Sequence, residues 1–317
     1  MMYLLLVGGS ALLIVGGGLL VRGAAALARR LKVSAVIIGM VIVGFGTSAP
    51  ELMVCIDAAL ADQSALALGN VVGSNIANVL LVLGVCALIY PLSVEPRTVL
   101  RDGLAMLLGT LAFVGLAFGG VIGPVEGAVM VGAILLYSGY AVWAERYRGD
   151  PAGDIHAHEA EAVEDGPASL GMSLAWLAGG LGGVLIGADL VVDGAVEIAR
   201  AFAVPEVVIG LSVVALGTSL PELATGVIAA VKRQPDVIIG NVLGSNLFNL
   251  FAILGITAMV RPLEVPAAVR AVDIWVRTGV MGLFLVLLVT GWKLSRAEGA
   301  VLFTLYVAYM AFLVVSA

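Results

Sequence analysis

One segment of this chain occurs twice. Residues 38–84 align without a gap on residues 209–255 at a constant offset of 171, and 21 of the 47 pairs are identical. Repetition on this scale constrains architecture before any local propensity does. The copies lie in apolar sequence: 61% of the residues are hydrophobic, 12% are charged and the mean hydropathy is +1.13. An average soluble domain holds about 45–50% apolar and about 25% charged residues. Ten apolar segments follow one another, approximately 2–24, 33–61, 64–90, 98–119, 124–145, 170–194, 204–231, 236–260, 270–291 and 297–316. Runs of about 20 apolar residues predict membrane-spanning helices. They disfavour a β-barrel, whose strands alternate over about ten residues.

Each copy sits in a set of five segments. An odd number of spans makes the second set enter the membrane from the opposite side, so the repeats are inverted, as in many secondary transporters. The expected fold is an all-α membrane protein with ten transmembrane helices in two inverted five-helix repeats. The first repeat covers 1–145 and the second 170–317. Between them, 146–169 is an acidic cytoplasmic linker holding Asp150, Asp154, Glu159, Glu161, Glu164 and Asp165. Its composition marks it as solvated, and His156 and His158 within it read as linker residues, not as a metal pair.

Charge bias tests the orientation. With the N-terminus outside, the inner ends hold Arg22, Arg29, Arg30, Lys32, Arg97, Arg101, Arg146, Arg148, Lys232, Arg233, Lys293 and Arg296. The outer ends hold Arg200, Arg261, Arg270 and Arg277, so the division is twelve to four. Basic residues favour the cytoplasm, which places both termini outside. Arg22 aligns with Asp193, the swap that opposite orientation predicts. Ala24 and Ala26 imitate a cleavage site, but no basic residue precedes the first apolar run, so it reads as a retained helix. Cys55 and Cys86 lie in apolar segments and read as small core residues without a disulfide. A formal charge of −6 argues against a nucleic-acid partner.

The repeated segment carries polar residues where a lipid-spanning helix should have none. Gly44 to Leu52 reads Gly-Phe-Gly-Thr-Ser-Ala-Pro-Glu-Leu, and Ala215 to Leu223 reads Ala-Leu-Gly-Thr-Ser-Leu-Pro-Glu-Leu. A charge at bilayer depth costs about 2.5 kcal/mol or more, so Glu51 and Glu222 are functional candidates. Pro50 deprives the Gly46 carbonyl of its helical partner. Thr47 and Ser48 share a face with Glu51, as Thr218 and Ser219 do with Glu222. A second motif follows, Gly-Asn-Val-Val-Gly-Ser-Asn-Ile-Ala-Asn at 69–78 and Gly-Asn-Val-Leu-Gly-Ser-Asn-Leu-Phe-Asn at 240–249. Ser74 and Asn78 lie four apart on one face, as do Ser245 and Asn249. Such residues also serve close helix packing. For Asn70, Asn75, Asn241 and Asn246 the pattern does not separate packing from ligation. Asp57 aligns with Ile228 and reads as an outer-surface residue without a role.

Carboxylates, hydroxyls and freed carbonyls suit a hard cation, and Ca²⁺ takes roughly 6–8 oxygens. Two carboxylates are balanced by one Ca²⁺ or by two Na⁺, so competition for them would couple the ions.

The paired motifs resemble the α-repeats of the cation/calcium exchanger superfamily, most closely those of its sodium/calcium exchangers. The resemblance covers the whole ten-segment plan, and its specific part is 38–84 and 209–255. It implies broken second and seventh helices meeting the third and eighth at the midplane. It implies ligation by Glu51, Glu222, Ser48, Ser219, Ser74 and Ser245, by the carbonyls of Gly44, Thr47, Ala215 and Thr218, and by the amides of Asn78 and Asn249 alongside. The activity implied is exchange of Na⁺ for Ca²⁺ by alternating access, with the glycine-rich first and sixth segments as the gate. Two neutral amides at Asn78 and Asn249, where some relatives carry aspartate, imply independence of K⁺. A linker of about two dozen residues leaves no room for a large regulatory domain, and the implied location is the plasma membrane of a prokaryote. The expected partners are the lipid bilayer and the two transported ions, with no resident cofactor and no protein partner.

The alternatives are a Ca²⁺/H⁺ antiporter, a K⁺-dependent Na⁺/Ca²⁺ exchanger and a channel. An intramembrane enzyme fits poorly. No His-Glu-x-x-His or Gly-x-Ser-x-Gly motif occurs, and both histidines fall in the linker.

Overall fold

A computed structural model describes residues 2–31, 33–148, 169–202, 215–267 and 269–316. Nearly all of the acidic linker, His156 and His158 included, lies outside the described residues, as do Lys32 and the early part of the seventh segment. Among the described residues, eight helices are long and apolar enough to cross a bilayer. They are α1 (Met2–Leu31), α4 (Ser64–Ile89), α5 (Pro96–Phe118), α6 (Pro124–Arg148), α7 (Leu170–Ala201), α10 (Pro235–Val260), α11 (Val269–Val289) and α12 (Arg296–Ser316). A ninth span is the pair α2 (Ala35–Thr47) and α3 (Ala49–Leu60), bent by 42°. The short helices α8 (Ala215–Thr218) and α9 (Leu220–Val231) are the described part of the tenth. Leu4, Leu104, Leu108, Val125, Leu135 and Leu136 are exposed, as a lipid-facing belt requires.

Both breaks fall where the proline predicts. Ser48 leaves the helical region at φ −84°, ψ 9°, and Ser219 does so at φ −88°, ψ 2°. Pro50 and Pro221 then sit in the first turn of α3 and α9, where no helical donor is required.

Two-residue strands tie the repeats together. β1 (Leu92–Ser93) pairs antiparallel with β4 (Lys293–Leu294), and β2 (Val121–Ile122) pairs with β3 (Leu263–Glu264). β1 and β3 are equivalent in the two repeats, and so are β2 and β4. Among the described residues, the strands of each repeat therefore pair only with those of the other, in a register that interchanging the repeats preserves. Other contacts obey the same exchange. Asp62 and Arg233 are aligned positions with positive φ. Asp62 forms an ion pair with Arg261, and Arg233 lies over the Tyr90 ring, which aligns with Arg261. Buried Asp102 accepts from Tyr137 Oη at 2.5 Å and Arg101 Nε at 2.6 Å, and its equivalent Asp273 faces Tyr309.

Helices α1 and α7 form an antiparallel pair joined by a glycine seam. Gly9, Gly16 and Gly23 recur every seven residues, and so do Gly180, Gly187 and Gly194. A Cβ added at Gly16 would lie 2.8 Å from the Val184 nitrogen, so the two backbones are in direct contact. The pair also packs on α2 and α9, with Gly17 against Ile228 and Gly46 against Leu181. At its edge, Lys232 Nζ donates to the Gly18 carbonyl at 3.2 Å. Partial burial, with Arg22 beside it, holds Lys232 below the usual lysine range.

Two expectations need correction. α1 and α7 run to Leu31 and Ala201, about two turns beyond the apolar segments 2–24 and 170–194. Residues 25–31 and 195–201 carry Arg29, Arg30, Glu197 and Arg200 among apolar residues, and the helix continues through them because backbone hydrogen bonding, not hydropathy, sets where it ends. Arg277, counted among the outer-end residues, is instead fully buried inside α11. Cys55 and Cys86 are buried free thiols, and Asp57 is exposed, as expected.

Candidate functional site

The two breaks bring the repeated motifs together at the centre of the protein. Glu51 and Glu222 are fully buried, one at the start of α3 and the other at the start of α9. Thr47, Ser48, Ser74, Asn78, Ser219, Ser245 and Asn249 are buried as well, and Thr218 is half-buried. Ala215 begins α8, which packs on α4.

Glu222 is held by hydroxyls from both repeats. Ser48 Oγ donates to Glu222 Oε1 at 3.1 Å, and Ser245 Oγ approaches the same oxygen at 3.4 Å. Ser245 Oγ also reaches the Gly44 carbonyl at 3.2 Å, which Thr47 Oγ1 approaches at 3.4 Å. That carbonyl already accepts from Ser48 N at 3.2 Å, so several donors converge on it. Gly44 permits this convergence. A Cβ there would meet Ser245 N at 2.8 Å, and only glycine lets α2 lie against α10 so closely.

Glu51 differs. Neither of its carboxylate oxygens has a hydrogen-bond partner among the described residues, although Ser74 faces it. Glu222 Oε2, Ser219 Oγ, Thr218 Oγ1, Asn249 Oδ1 and both amide atoms of Asn78 are also buried without a partner. Buried polar groups are normally satisfied, so each such group calls for an explanation. These groups all belong to the two repeated motifs, while Thr225, Thr257 and Arg277 hold further unpartnered atoms outside them; the oxygens among the motif groups form a set suited to a hard cation.

The backbone ladder changes where these groups converge. α4 passes into a π-helical turn at Asn78–Leu83, and α10 does so at the aligned Asn249–Ile253. α2 holds a third such turn at Gly39–Gly44. A π-turn shifts the register by one residue and re-aims the side chains that follow, and it recurs at functional sites. No residue pattern announces it.

The asparagines left open by the sequence now separate. Asn70 Nδ2 donates to the Glu51 backbone carbonyl at 3.3 Å, which fixes the first turn of α3. Asn241 Oδ1 accepts from Thr47 Oγ1 at 3.3 Å, and Asn246 Nδ2 donates to Val242 O at 2.9 Å. In one amide orientation Asn75 Nδ2 donates to the Asn246 backbone carbonyl at 3.3 Å; in the other, which matches more donors to acceptors, its Oδ1 faces Arg277 Nε and Nη2 at 3.2 and 3.1 Å. Its Nδ2 then donates to Asn246 Oδ1 at 2.9 Å and lies 3.1 Å from the Asn249 amide. Sequence reasoning missed Arg277. Its signal was a basic residue inside an apolar run with no basic residue at the aligned position of the other repeat.

Comparison with known proteins follows the same division of the chain. The family described as "Sodium/calcium exchanger protein" matches residues 1–144 and 172–315. The sodium/calcium exchanger MaX1 of Methanosarcina acetivorans is 32% identical over 349 aligned positions, covering 98% of each chain. The inner membrane protein YrbG of Escherichia coli is 34% identical over 263 residues, 82% of this chain and 80% of its own length. Among solved structures, the sodium-calcium exchanger NCX_Mj soaked with zero Na⁺ and Ca²⁺ superposes with a TM-score of 0.84 at 29% identity. That match covers 99% of this chain and 100% of the other.

Proposed function

This chain belongs to the sodium/calcium exchanger family and is a secondary antiporter of Na⁺ and Ca²⁺ across a membrane; we propose that both ions use the one site built around Glu51 and Glu222. The observation that carries this reading is the Glu51 carboxylate, buried in a membrane protein with neither oxygen hydrogen-bonded among the described residues. An uncompensated buried charge is expensive, and a cation bound by both glutamates removes that cost.

Ser48, Ser219, Ser74 and Ser245 supply further oxygens in this reading. The carbonyls of Gly44, Thr47, Ala215 and Thr218 complete the set, with Asn78 and Asn249 at its edge. The hydroxyls that now donate to Glu222 and Gly44 rotate their hydrogens away and offer lone pairs to the ion. Neither ion can hold the shared carboxylates while the other does, so each displaces the other. With the site unloaded, two buried negative charges oppose reorientation across the membrane, and leak gives way to exchange.

Access alternates, in this proposal, by movement of the α1–α7 pair against the remaining helices. A glycine seam keeps the pair together as one body, and its apolar contacts to α2 and α9 carry no directional bonds that would oppose sliding. Exchange is independent of K⁺. The repeats occupy 1–145 and 170–317, joined by the cytoplasmic linker 146–169. The protein lies in a prokaryotic plasma membrane with both termini outside, needs no resident cofactor or protein partner, and catalyses no covalent reaction. The test is uptake of labelled Ca²⁺ into Na⁺-loaded proteoliposomes, with and without K⁺, and with a pH gradient replacing the Na⁺ gradient. Uptake that follows the pH gradient, or that requires K⁺, would overturn the proposed coupling.

A further inference from the structure

A threonine inside a membrane helix commonly returns its hydroxyl to the carbonyl four residues back. Thr110, Thr278 and Thr304 do so, on Met106, Ile274 and Ala300, at 2.7 or 2.8 Å. Thr225 in α9 does not. It is fully buried, and its Oγ1 has no partner among the described residues. Thr257 shares that lack, but the residue four before it ends the π-turn of α10, where the carbonyl ladder is displaced. Thr225 stands in regular helix, so its free oxygen calls for another explanation.

Its place on α9 supplies one. Thr225 follows Glu222 by three residues, so the two side chains are neighbours on the helix surface, about 5–6 Å apart at Cβ. Two faces of α9 are already occupied. Gly226 lies against Cys86 and Val82 of α4, while Ile228 and the Ala224 carbonyl lie against Gly17 of α1. At about 3.6 residues per turn, Thr225 falls between those two faces, on the line where the α1–α7 pair meets the other helices. Seven residues on, close to the same face, Lys232 Nζ donates to the Gly18 carbonyl and closes that line where α9 ends. The hydroxyl belongs to one repeat alone, since the position aligned with Thr225 is Val54.

We propose that Thr225 is a relay ligand, the first oxygen a cation meets on its way between the two-glutamate site and the surface at Lys232. This rests on the exchange site proposed above and adds the route by which one side of the membrane reaches it. Movement of the α1–α7 pair parts the helices along this line and draws Gly18 away from Lys232. The ion then leaves the carboxylates for a passage in which Val82 and Cys86 offer no oxygen, and Thr225 lends it a lone pair. One neutral oxygen eases transit without holding the ion.

The test compares Thr225→Val, which keeps the shape and loses the hydroxyl, with Thr225→Ser, which keeps the oxygen. Na⁺-driven uptake of labelled Ca²⁺ into proteoliposomes is expected to fall about tenfold or more in Thr225→Val and to stay near wild type in Thr225→Ser. Melting without ions should be unchanged or higher in Thr225→Val, because the hydroxyl it removes has no partner. The Ca²⁺ concentration that half-maximally raises the melting temperature should also be unchanged, because the resting ion stays on the glutamates. Melting below wild type would show a hydroxyl bonded within the fold, and a weakened response to Ca²⁺ would make Thr225 a ligand of the resting ion. Either result overturns the relay, as does wild-type uptake by Thr225→Val or an equal loss in Thr225→Ser. Absence of uptake in the wild-type protein would instead strike the exchange site itself, and the relay with it.

Discussion

The Ser48 hydroxyl of the first repeat donates to Glu222 Oε1 of the second at 3.1 Å, while the reciprocal pair, Ser219 and Glu51, makes no such bond. The backbone exchange between repeats is close to symmetric, but the hydrogen bonding at the centre is not. One glutamate is held by the protein, and the other has its oxygens free for a ligand. If the proposed ion binds here, the site is half preorganised, which limits the ordering that binding must induce.

Glu51→Gln and Glu222→Gln are each expected to reduce Na⁺-driven Ca²⁺ uptake by about 100-fold or more, because ligand charge strongly sets Ca²⁺ affinity. Melting in detergent offers a second readout. Saturating Ca²⁺ at about 100 times its Kd stabilises a binding-competent protein by about 2.7 kcal/mol. Wild type should show that gain and both variants should lose it. Retained uptake by either variant would remove that glutamate from the mechanism.

The two serines should behave differently. Ser48→Ala deletes a buried bond to a carboxylate and should cost about 1.5–3 kcal/mol of ion-free stability. Ser219→Ala deletes a hydroxyl that has no partner and should leave ion-free stability nearly unchanged while weakening Ca²⁺ binding. Thermal melts without ions, followed by Ca²⁺ titration, check both halves. Equal losses of ion-free stability would contradict the asymmetry.

The seam between α1 and α7 predicts a contrast among glycines. Gly16→Ala and Gly180→Ala force a methyl group against a facing backbone and should cost about 1–3 kcal/mol through overpacking. Exchange should slow in parallel. Gly8 and Gly179 have nothing within 4 Å of an added Cβ, so their alanine variants should behave as wild type. Melting temperature and initial uptake rate of the four variants decide this.

The orientation is testable at the two aligned positions of positive φ. Asp62 and Arg233 are both exposed, and the native thiols Cys55 and Cys86 are buried. In right-side-out vesicles an impermeant maleimide should label Asp62→Cys and spare Arg233→Cys until the membrane is opened. The opposite pattern would place both termini in the cytoplasm.

Much of this was legible in residue order. The offset repeat predicted the inversion, Pro50 and Pro221 predicted the broken spans, and Glu51 and Glu222 are buried among the polar residues of both motifs. What escaped lay in relations that no window contains. The π-turns at Asn78 and Asn249 arise from helix packing and leave no residue signature. Arg277 read as a helix end because hydropathy scores a charge as a boundary, whereas Asn75 and Phe113 come from distant helices to receive it. Asn75 itself could be assigned only when its neighbours across the repeat were known.

The strand pairing has a consequence for how such a chain could arise. Because β1 closes on β4 and β2 on β3, neither half completes its own backbone hydrogen bonding. Each behaves as one subunit of an antiparallel dimer whose members happen to share a covalent tether. A single ancestral half inserting in both directions would already have possessed every one of these seams. Joined in one chain, the two copies can differ, as Met106 and Arg277 do at aligned positions.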